Sequence, residues 1–234
     1  MPSETLEIDG CRTAEAQGPS GFLADMAEGL HAMAQPLTIL RSSVAASADA
    51  NVSPANRQRY LELSVRQVQR ACMLFDCLQD LVVASQIPAD CEPVDLAAMV
   101  AAMAGDQRAA LQEAGIELRV LLPGDLPRAL GDGSRTGQAL SAGLKVAAMV
   151  SAAGDVIQIS AATCNHLVEL ILRNDRVHGA SLGSEERLNL RLAQTNVVSQ
   201  RGEFECTEDP FMVRLALPCM PPEPGFEQHT QASV

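Results

Sequence analysis

The sequence has very few aromatic residues. Among its 234 residues there is no tryptophan, one tyrosine and five phenylalanines. Large rings therefore cannot supply the core, which must be packed from aliphatic side chains. Hydrophobic residues make up 47% of the chain and are mostly Ala, Leu and Val, which is enough for a buried core. Such small side chains favour close contact between helices.

The cysteines follow no metal-binding or disulfide pattern. Seven are present, an odd number, and no two of them form a C-x-x-C pair. Disulfide frameworks and zinc sites both depend on regular spacings that are missing here. We therefore predict no metal site and reduced, mostly buried thiols at positions 11, 72, 77, 91, 164, 206 and 219.

The chain also lacks a long apolar run and an excess of positive charge. No stretch approaches the ~18 apolar residues that a membrane span needs. The opening sequence MPSETLEIDGC shows neither the basic nor the apolar region of a signal peptide. The net charge of −12 argues against nucleic acid or an anionic membrane as the main partner. These features predict a cytoplasmic protein without membrane insertion.

Four arginines stand close together within this acidic chain. They are Arg57, Arg59, Arg66 and Arg70, all in one segment with helical periodicity. Guanidinium groups bind carboxylates and phosphates with two parallel hydrogen bonds. The segment is therefore predicted to be a docking face for an acidic partner.

The first part of the chain has the pattern of two helices. From Phe22 to Val44, apolar residues recur in steps of three and four, as in a coiled-coil helix. A turn over 47–54 follows, in which a Ser-Pro step suits the start of a helix. A second patterned helix runs to about Ser85. Because one hairpin cannot bury both apolar stripes, two copies are expected to pair into a four-helix bundle.

Downstream of a linker over 87–93, the pattern changes to mixed helices and strands. Helices are predicted over 94–114, 132–153 and 185–200, and strands over 116–122, 128–131, 156–162, 167–172, 203–207 and 211–217. This order favours an α/β sandwich with helices on one face of a largely antiparallel sheet. The fold class is thus α+β. Its expected segments are a disordered start (1–19), a dimerising helical hairpin (20–87), an α/β domain (88–218) and a flexible tail (219–234).

His31 opens the motif His-Ala-Met-Ala-Gln-Pro-Leu, which ends at Leu37. A neutral imidazole that faces solvent can accept a phosphoryl group, and the helical pattern places His31 beside the apolar seam. The motif resembles the phosphoacceptor box of bacterial sensor histidine kinases. The α/β segment resembles the GHKL-type ATP-binding domain of that family, so the resemblance covers about residues 20–218. It implies that His31 is a phosphoacceptor; a merely solvated helical histidine is the alternative.

Two positions beside the histidine bear on its chemistry. The family usually has Glu or Asp directly after the histidine, where a carboxylate can take a proton, but here that residue is Ala32. Gln35 stands where many members use Thr or Asn to aim a water, although glutamine is also an ordinary variant of the box. Counted from the turn, His31 is predicted to be level with Arg66 to Arg70 on the second helix. We expect an arginine there to pair with a phosphoryl group or an acidic partner.

The resemblance is weakest where the family binds Mg²⁺. Active members carry two asparagines four residues apart on the helix that follows the segment matched here by Gly131 to Leu140. The aligned positions hold Ala142 and Val146. Neither side chain can ligate a hard cation, which requires oxygen donors.

The adenine-binding Asp-x-Gly-x-Gly turn of the family is also incomplete. Asn174 replaces its aspartate when no gap is allowed, whereas a shift by one keeps Asp175 and Gly179 but puts Val177 at the first glycine. Glu185 and its neighbours replace the glycine-rich phosphate turn, and carboxylates there suit a helix N-terminus but repel a triphosphate. We expect a vestigial nucleotide site at Asn174, Asp175 and Gly179 and no cofactor. An unconventional mode of ATP binding is the alternative.

Together these features predict a histidine-kinase-like protein of a two-component phosphorelay. The chain is expected to pass a phosphoryl group between His31 and the aspartate of a response-regulator receiver domain. In this interpretation it is a phosphotransferase or pseudokinase unable to bind ATP. A non-catalytic scaffold for receiver domains or kinases is an alternative that Ala32 supports. An active kinase with a divergent ATP site is a further alternative.

Overall fold

Two long antiparallel helices form the N-terminal part of the protein. The computed structural model describes residues 19–174, 176 and 182–220. Helix α1 spans Pro19–Ala48 and α2 spans Pro54–Gln86. As predicted, α2 begins at a Ser-Pro step, where the Ser53 hydroxyl accepts a hydrogen bond from the backbone N–H two residues beyond Pro54. The connection is tightened by Arg57, which donates to two backbone carbonyls at the end of α1 and in the turn.

Two contacts define how the helices of the hairpin are aligned. Gly29 lies directly against Leu78, which fills the space that a β-carbon would need. The hydroxyls of Ser43 and Ser64 are 2.8 Å apart. Interpolating between these two points places His31 level with about residue 76 of α2. The sequence-based expectation that His31 lies level with Arg66 to Arg70 is therefore wrong by about two turns.

The misjudged level has a simple geometric cause. By the same alignment, the end of α1 at Ala48 is level with about residue 59, although α2 begins at Pro54. Helix α2 thus extends beyond the end of α1, and the connecting segment 49–53 runs along this extension. Counting equal distances from the turn assumes a symmetric connection, which this hairpin does not have.

The second part of the chain is a mixed sheet covered by helices. Its five strands lie in the order β2-β4-β5-β7-β6; β2 and β4 are parallel, and the other neighbours are antiparallel. A separate antiparallel pair joins β1 and β3. The elements are β1 (Glu92–Val94), α3 (Leu96–Glu113), β2 (Glu117–Leu121), β3 (Ala129–Gly131), α4 (Gly133–Val150), β4 (Val156–Cys164), β5 (Leu167–Asn174), α5 (Ser184–Val198), β6 (Glu203–Glu208) and β7 (Phe211–Pro218).

Alternation along the strands places the main core between the sheet and the helices. Val168, Leu170 and Leu172 of β5 are buried, and the residues between them are not. They pack with buried residues of β7 and of helices α3, α4 and α5. The predicted α+β class, with a helical hairpin followed by an α/β sandwich, is confirmed.

Four local predictions need correction. Strand β1 lies at the end of the segment predicted as a linker, and α3 begins later than predicted because the Asp95 carboxylate caps it by accepting from Ala98 N at 2.9 Å. Among the described cysteines, only Cys77 is buried and four are exposed, so the thiols are not mostly buried. The first residue of the predicted flexible tail is hydrogen-bonded to the α/β domain, since Cys219 N donates to His166 O.

Other predictions fall where the structure gives no description. The predicted disordered start and flexible tail lie, apart from their innermost residues, outside the described residues. Within the described part of the chain, no helix combines the length and the apolar character that crossing a bilayer requires.

Candidate functional site

His31 lies on α1 with its side chain exposed to solvent. Gln35, one helical turn further on, is also exposed and shares that face of the helix. Pro36 is buried, and α1 continues through it to Ala48. Neither His31 nor Gln35 forms a side-chain hydrogen bond or ion pair with any residue that the structure describes. The imidazole is therefore open to a partner molecule.

The residues next to His31 face a different environment. Ala32 and Met33 are partly buried and pack against a cluster that joins the hairpin to α5. This hairpin–α5 cluster consists of Leu74, Cys77, Leu78, Leu81 and Ala84 of α2 with Leu188 and Leu192 of α5. One side of α1 next to His31 thus faces this shared cluster, whereas the imidazole itself is exposed.

Ion pairs flank the apolar contact between α1 and α5. Arg187 Nε lies 3.0 Å from Glu28 Oε1, and Arg191 Nε lies 3.3 Å from Asp25 Oδ1. Asp25 is only 7% exposed. Its burial, more than any neighbouring charge, raises the pKa of this carboxyl above its usual range, and Arg191 opposes the effect. Sequence reasoning missed these four residues, because it treated α5 only as part of the α/β domain.

The arginines of the predicted docking face have different contacts in the fold. Arg70 Nε lies 2.9 Å from Glu185 Oε2, and Lys145 Nζ lies 3.9 Å from the other oxygen of that carboxylate. Arg66 is exposed, and no ion pair joins it to another described residue. Because Arg57 is committed to the turn, Arg66 and Arg59 are the predicted docking arginines that stay accessible.

The two positions that the sequence resemblance aligns with Mg²⁺-binding asparagines are apolar and buried. Ala142 is 7% exposed and Val146 is fully buried, and both belong to the main core. No group of three or more His, Cys, Asp and Glu side chains among the described residues is arranged to hold a metal ion. These positions can bind neither a cation nor a phosphate through their side chains.

Asn174 has a structural role in this fold. It is 1% exposed, and its amide nitrogen donates to Ser151 Oγ at 2.8 Å and to Asp155 Oδ2 at 3.1 Å. Its oxygen accepts from the backbone N–H of Arg176 at 3.0 Å. The side chain thus uses its polar atoms to tie the ends of β4 and β5 to the end of α4. The other predicted members of this site, Asp175 and Gly179, lie outside the described residues.

Two hollows formed by the described residues are poorly suited to a nucleoside triphosphate. Between α4 and the sheet the free space is about 10 Å³, enough for at most one water. A larger hollow of about 420 Å³ is lined by Asp90, Glu92 and Asp132, whose carboxylates repel phosphates. Helices α4 and α5 also bond to each other directly, since Asn196 donates to Gln138 at 3.1 Å.

Comparison with known proteins gives matches at the level of structure. No protein-family model and no curated protein matches the sequence. The solved Acinetobacter baumannii histidine kinase AdeS is 18% identical, with a TM-score of 0.67 over 82% of this chain and 98% of AdeS. Histidine kinase ThkA, solved in complex with response regulator TrrA, is 14% identical, with a TM-score of 0.68 over 86% of this chain and 63% of ThkA.

The chain has the fold of a histidine kinase core. In the terms of that fold, α1 and α2 correspond to the helical hairpin and the remaining elements to the ATPase-like domain. Full-length ShkA, solved in complex with AMPPNP, is also similar, at 15% identity and a TM-score of 0.53 over 88% of this chain and 48% of ShkA. Identities this low establish the histidine kinase fold alone.

Proposed function

We propose that this chain is a cytoplasmic histidine phosphotransfer component of a two-component system, exchanging a phosphoryl group between His31 and a receiver domain. The observation that carries the proposal is an exposed imidazole on the hairpin of a histidine kinase fold, beside a domain whose Mg²⁺ positions are apolar and buried. The solved complex of ThkA with a response regulator supports a receiver as the partner. In this proposal, residues 20–87 carry the exchange and residues 88–218 support it.

The proposed step needs little from the chain beyond a positioned nucleophile. A ring nitrogen of His31 attacks the phosphorus of the receiver's aspartyl phosphate. The N–P bond forms as the O–P bond breaks, and the aspartate leaves as a carboxylate. The receiver supplies the aspartate and its own Mg²⁺. Holding the imidazole in place on a rigid helix supplies much of the advantage, since the reaction becomes effectively intramolecular in the complex.

Charge and exposure suggest where the receiver docks. Arg66 and Arg59 are exposed on α2, on the part of the hairpin between His31 and the turn. In a chain of net charge −12, they offer a local positive surface to an acidic partner. Gln35 shares the exposed face of His31, where its amide can orient a water or a phosphoryl oxygen.

The proposal includes the absence of ATP chemistry. Ala142 and Val146 offer no oxygen ligand, and the Asn174 amide is occupied by bonds within the fold. A ligand that binds only the folded state must raise its stability, so millimolar Mg·ATP is expected to leave the unfolding temperature unchanged. A concentration-dependent rise would instead favour an active or unconventional kinase.

A second copy of the chain is the proposed partner of the hairpin. The exposed residues Leu23, Leu30, Leu37 and Val44 recur every seven positions along α1. A matching exposed series on α2 consists of Leu61, Val65, Val68, Cys72 and Phe75. Heptad stripes of this kind are buried when two hairpins pair into a four-helix bundle. We propose a homodimer formed through this hairpin stripe.

Phosphoryl transfer can be tested directly with a receiver domain. The wild-type protein is incubated with a ³²P-phosphorylated receiver, and acid-labile label on this chain is measured. Label is expected on the wild type, not on His31→Gln, and still on His166→Gln, a matched change at an exposed histidine in the β4–β5 turn. Equal labelling of the wild type and His31→Gln would rule out His31 as the acceptor.

The scaffold function is the second candidate, and Ala32 is the observation that favours it. Without a carboxylate after the histidine, proton transfer at the imidazole lacks its usual helper. A scaffold would bind the receiver with the same affinity in wild type and His31→Gln and would acquire no label. Binding measured by calorimetry alongside the labelling experiment therefore separates the two functions.

A further inference from the structure

Helix α5 belongs to two cores at once. Leu190, Ala193 and Val197 lie in the main core of the α/β domain. Leu188 and Leu192, on another side of the same helix, lie in the hairpin–α5 cluster. A helix that is apolar on more than one side must be buried on more than one side. The hairpin supplies the second burial surface.

Charges set the orientation of this contact. Two carboxylates three residues apart on α1, Asp25 and Glu28, face two arginines four residues apart on α5, Arg191 and Arg187. The Glu28–Arg187 pair is largely exposed and adds little stability by itself. The Asp25 carboxylate is buried, so loss of Arg191 would remove a cation that compensates its charge. The pairs therefore select one docked position more than they add affinity.

We propose that these contacts form a latch, a conformational device that holds the ATPase-like domain in one position against the half of α1 that carries His31. The latch consists of the Asp25–Arg191 and Glu28–Arg187 pairs together with Leu188 and Leu192. When closed, it holds α5 against α1 at Asp25 and Glu28 and leaves the His31 imidazole exposed. A protein partner can then reach His31 while the second domain stays fixed. Only this functional meaning rests on the proposed phosphotransfer; the latch itself is a property of the fold.

Cys77 provides an internal reporter of the latch. Its thiol is 8% exposed and lies beneath α5, with Sγ 3.9 Å from the carbonyl oxygen of Leu188. Burial, with a smaller effect from the Asp80 carboxylate, raises the pKa of Cys77 to about 11. A closed latch therefore protects this thiol both by blocking reagents and by keeping it protonated. Opening removes both protections.

The test uses thiol labelling of the full chain with a maleimide, resolved by peptide mass spectrometry. In the double variant Arg187→Glu/Arg191→Glu, like charges face each other across the contact, and the labelling rate of Cys77 is expected to rise about tenfold or more. Arg119→Glu is the matched control, since Arg119 forms an exposed ion pair on β2. Labelling of the exposed Cys164 should be the same in all variants.

Charge exchange makes the test specific. Adding Asp25→Arg and Glu28→Arg to the double variant restores opposite charges in reversed order and should restore protection of Cys77. An unchanged rate in the double variant, or no recovery on charge exchange, would overturn the latch. If the double variant does not fold, Arg191→Met takes its place, with a smaller increase expected. Labelling does not involve phosphate, so loss of transfer at His31 with the latch intact would count against the proposed function alone.

Discussion

Asn174 is a buried side chain at the centre of a hydrogen-bond network. In the ungapped alignment with kinases it stands where an aspartate would contact adenine, but its amide donates to Ser151 and Asp155. The Asp155 carboxylate is fully buried and also pairs with Arg176 at 3.0 Å. An aspartate at position 174 would replace the donor of this network by a second acid. The sequence alone could identify the substitution but not this hydrogen-bond network.

We therefore predict that Asn174→Asp destabilises the protein and does not create ATP binding. Loss of a buried donor next to an added carboxylate is expected to cost about 3 kcal/mol in the free energy of unfolding. Urea unfolding measures the change, with Asn51→Asp in the exposed hairpin turn as the matched control. A variant as stable as the wild type, or one stabilised by Mg·ATP, would contradict this assignment.

The buried carboxyl of Asp25 gives a prediction about pH. Burial raises the pKa of Asp25 above its ordinary value of 3.8, and the nearby Glu28 raises it further, against the opposing effect of Arg191. The folded protein then holds a proton that the unfolded chain has already released. This contribution to stability is full below pH 3.8 and is lost as the pH rises through the folded-state pKa.

Replacing the acid should remove that pH dependence. The stability of Asp25→Asn relative to the wild type is expected to increase as the pH rises from about 3.8 through the raised pKa. Urea unfolding at a series of pH values measures this difference, with Asp106→Asn on an exposed position of α3 as control. A difference that stays flat or falls across that range would show that Arg191 outweighs the burial of the carboxyl.

At the scale of elements, apolar periodicity predicts the helices and long strands well. It does not predict which other elements each of them packs against. The five helices within the described residues follow from apolar spacing and caps, and the long strands from alternation, because both depend on neighbours in sequence. Strand β1 was missed because it is three residues long and contains Pro93, which suits an edge position. The second apolar side of α5 carries Leu188 and Leu192. This side packs against the hairpin, and a contact between segments so distant in sequence cannot be predicted from local spacing.

The regularly spaced apolar residues of α1 fall into two sets, one partly buried and one exposed. Spacing in the sequence alone does not separate these sets. Met26, Met33 and Leu40 are partly buried, whereas the residues between them in the predicted seam stay exposed. One half of the seam thus serves the fold of a single chain. The other half belongs to the hairpin stripe, the contact that we propose for a second copy.

This division predicts separate effects on folding and assembly. In Leu37→Glu/Val44→Glu, charges enter the proposed dimer contact but not the interior of the hairpin, so the variant should be a folded monomer. Light scattering after gel filtration gives the mass, and circular dichroism reports the helices. The control Thr38→Glu/Ala45→Glu adds the same charge at exposed neighbouring positions and should remain dimeric. A wild type that is monomeric at micromolar concentrations would refute the dimer.

At the scale of the whole molecule, α5 determines whether the two parts behave as one. Because its side chains are shared between the main core and the hairpin–α5 cluster, neither core is complete without it. The Arg135 guanidinium adds a second link, donating to the carbonyl oxygens of Ala84 and Ile87 at the end of α2. Contacts this extensive are expected to make unfolding of the hairpin and the α/β domain a single cooperative transition.

The chain offers a convenient probe for this last prediction, since Tyr60 on α2 is its only tyrosine and there is no tryptophan. Tyrosine fluorescence reports the hairpin, and hydrogen exchange of β5 amides reports the sheet; in urea, both midpoints should coincide for the wild type. Leu192→Ala leaves a cavity between the two parts, so about 2–5 kcal/mol of stability should be lost and the midpoints should separate. Leu121→Ala, at an exposed leucine of β2, should change neither. Separate midpoints already in the wild type would mean that α5 docks without joining the two cores, because the hairpin would then unfold independently of the sheet.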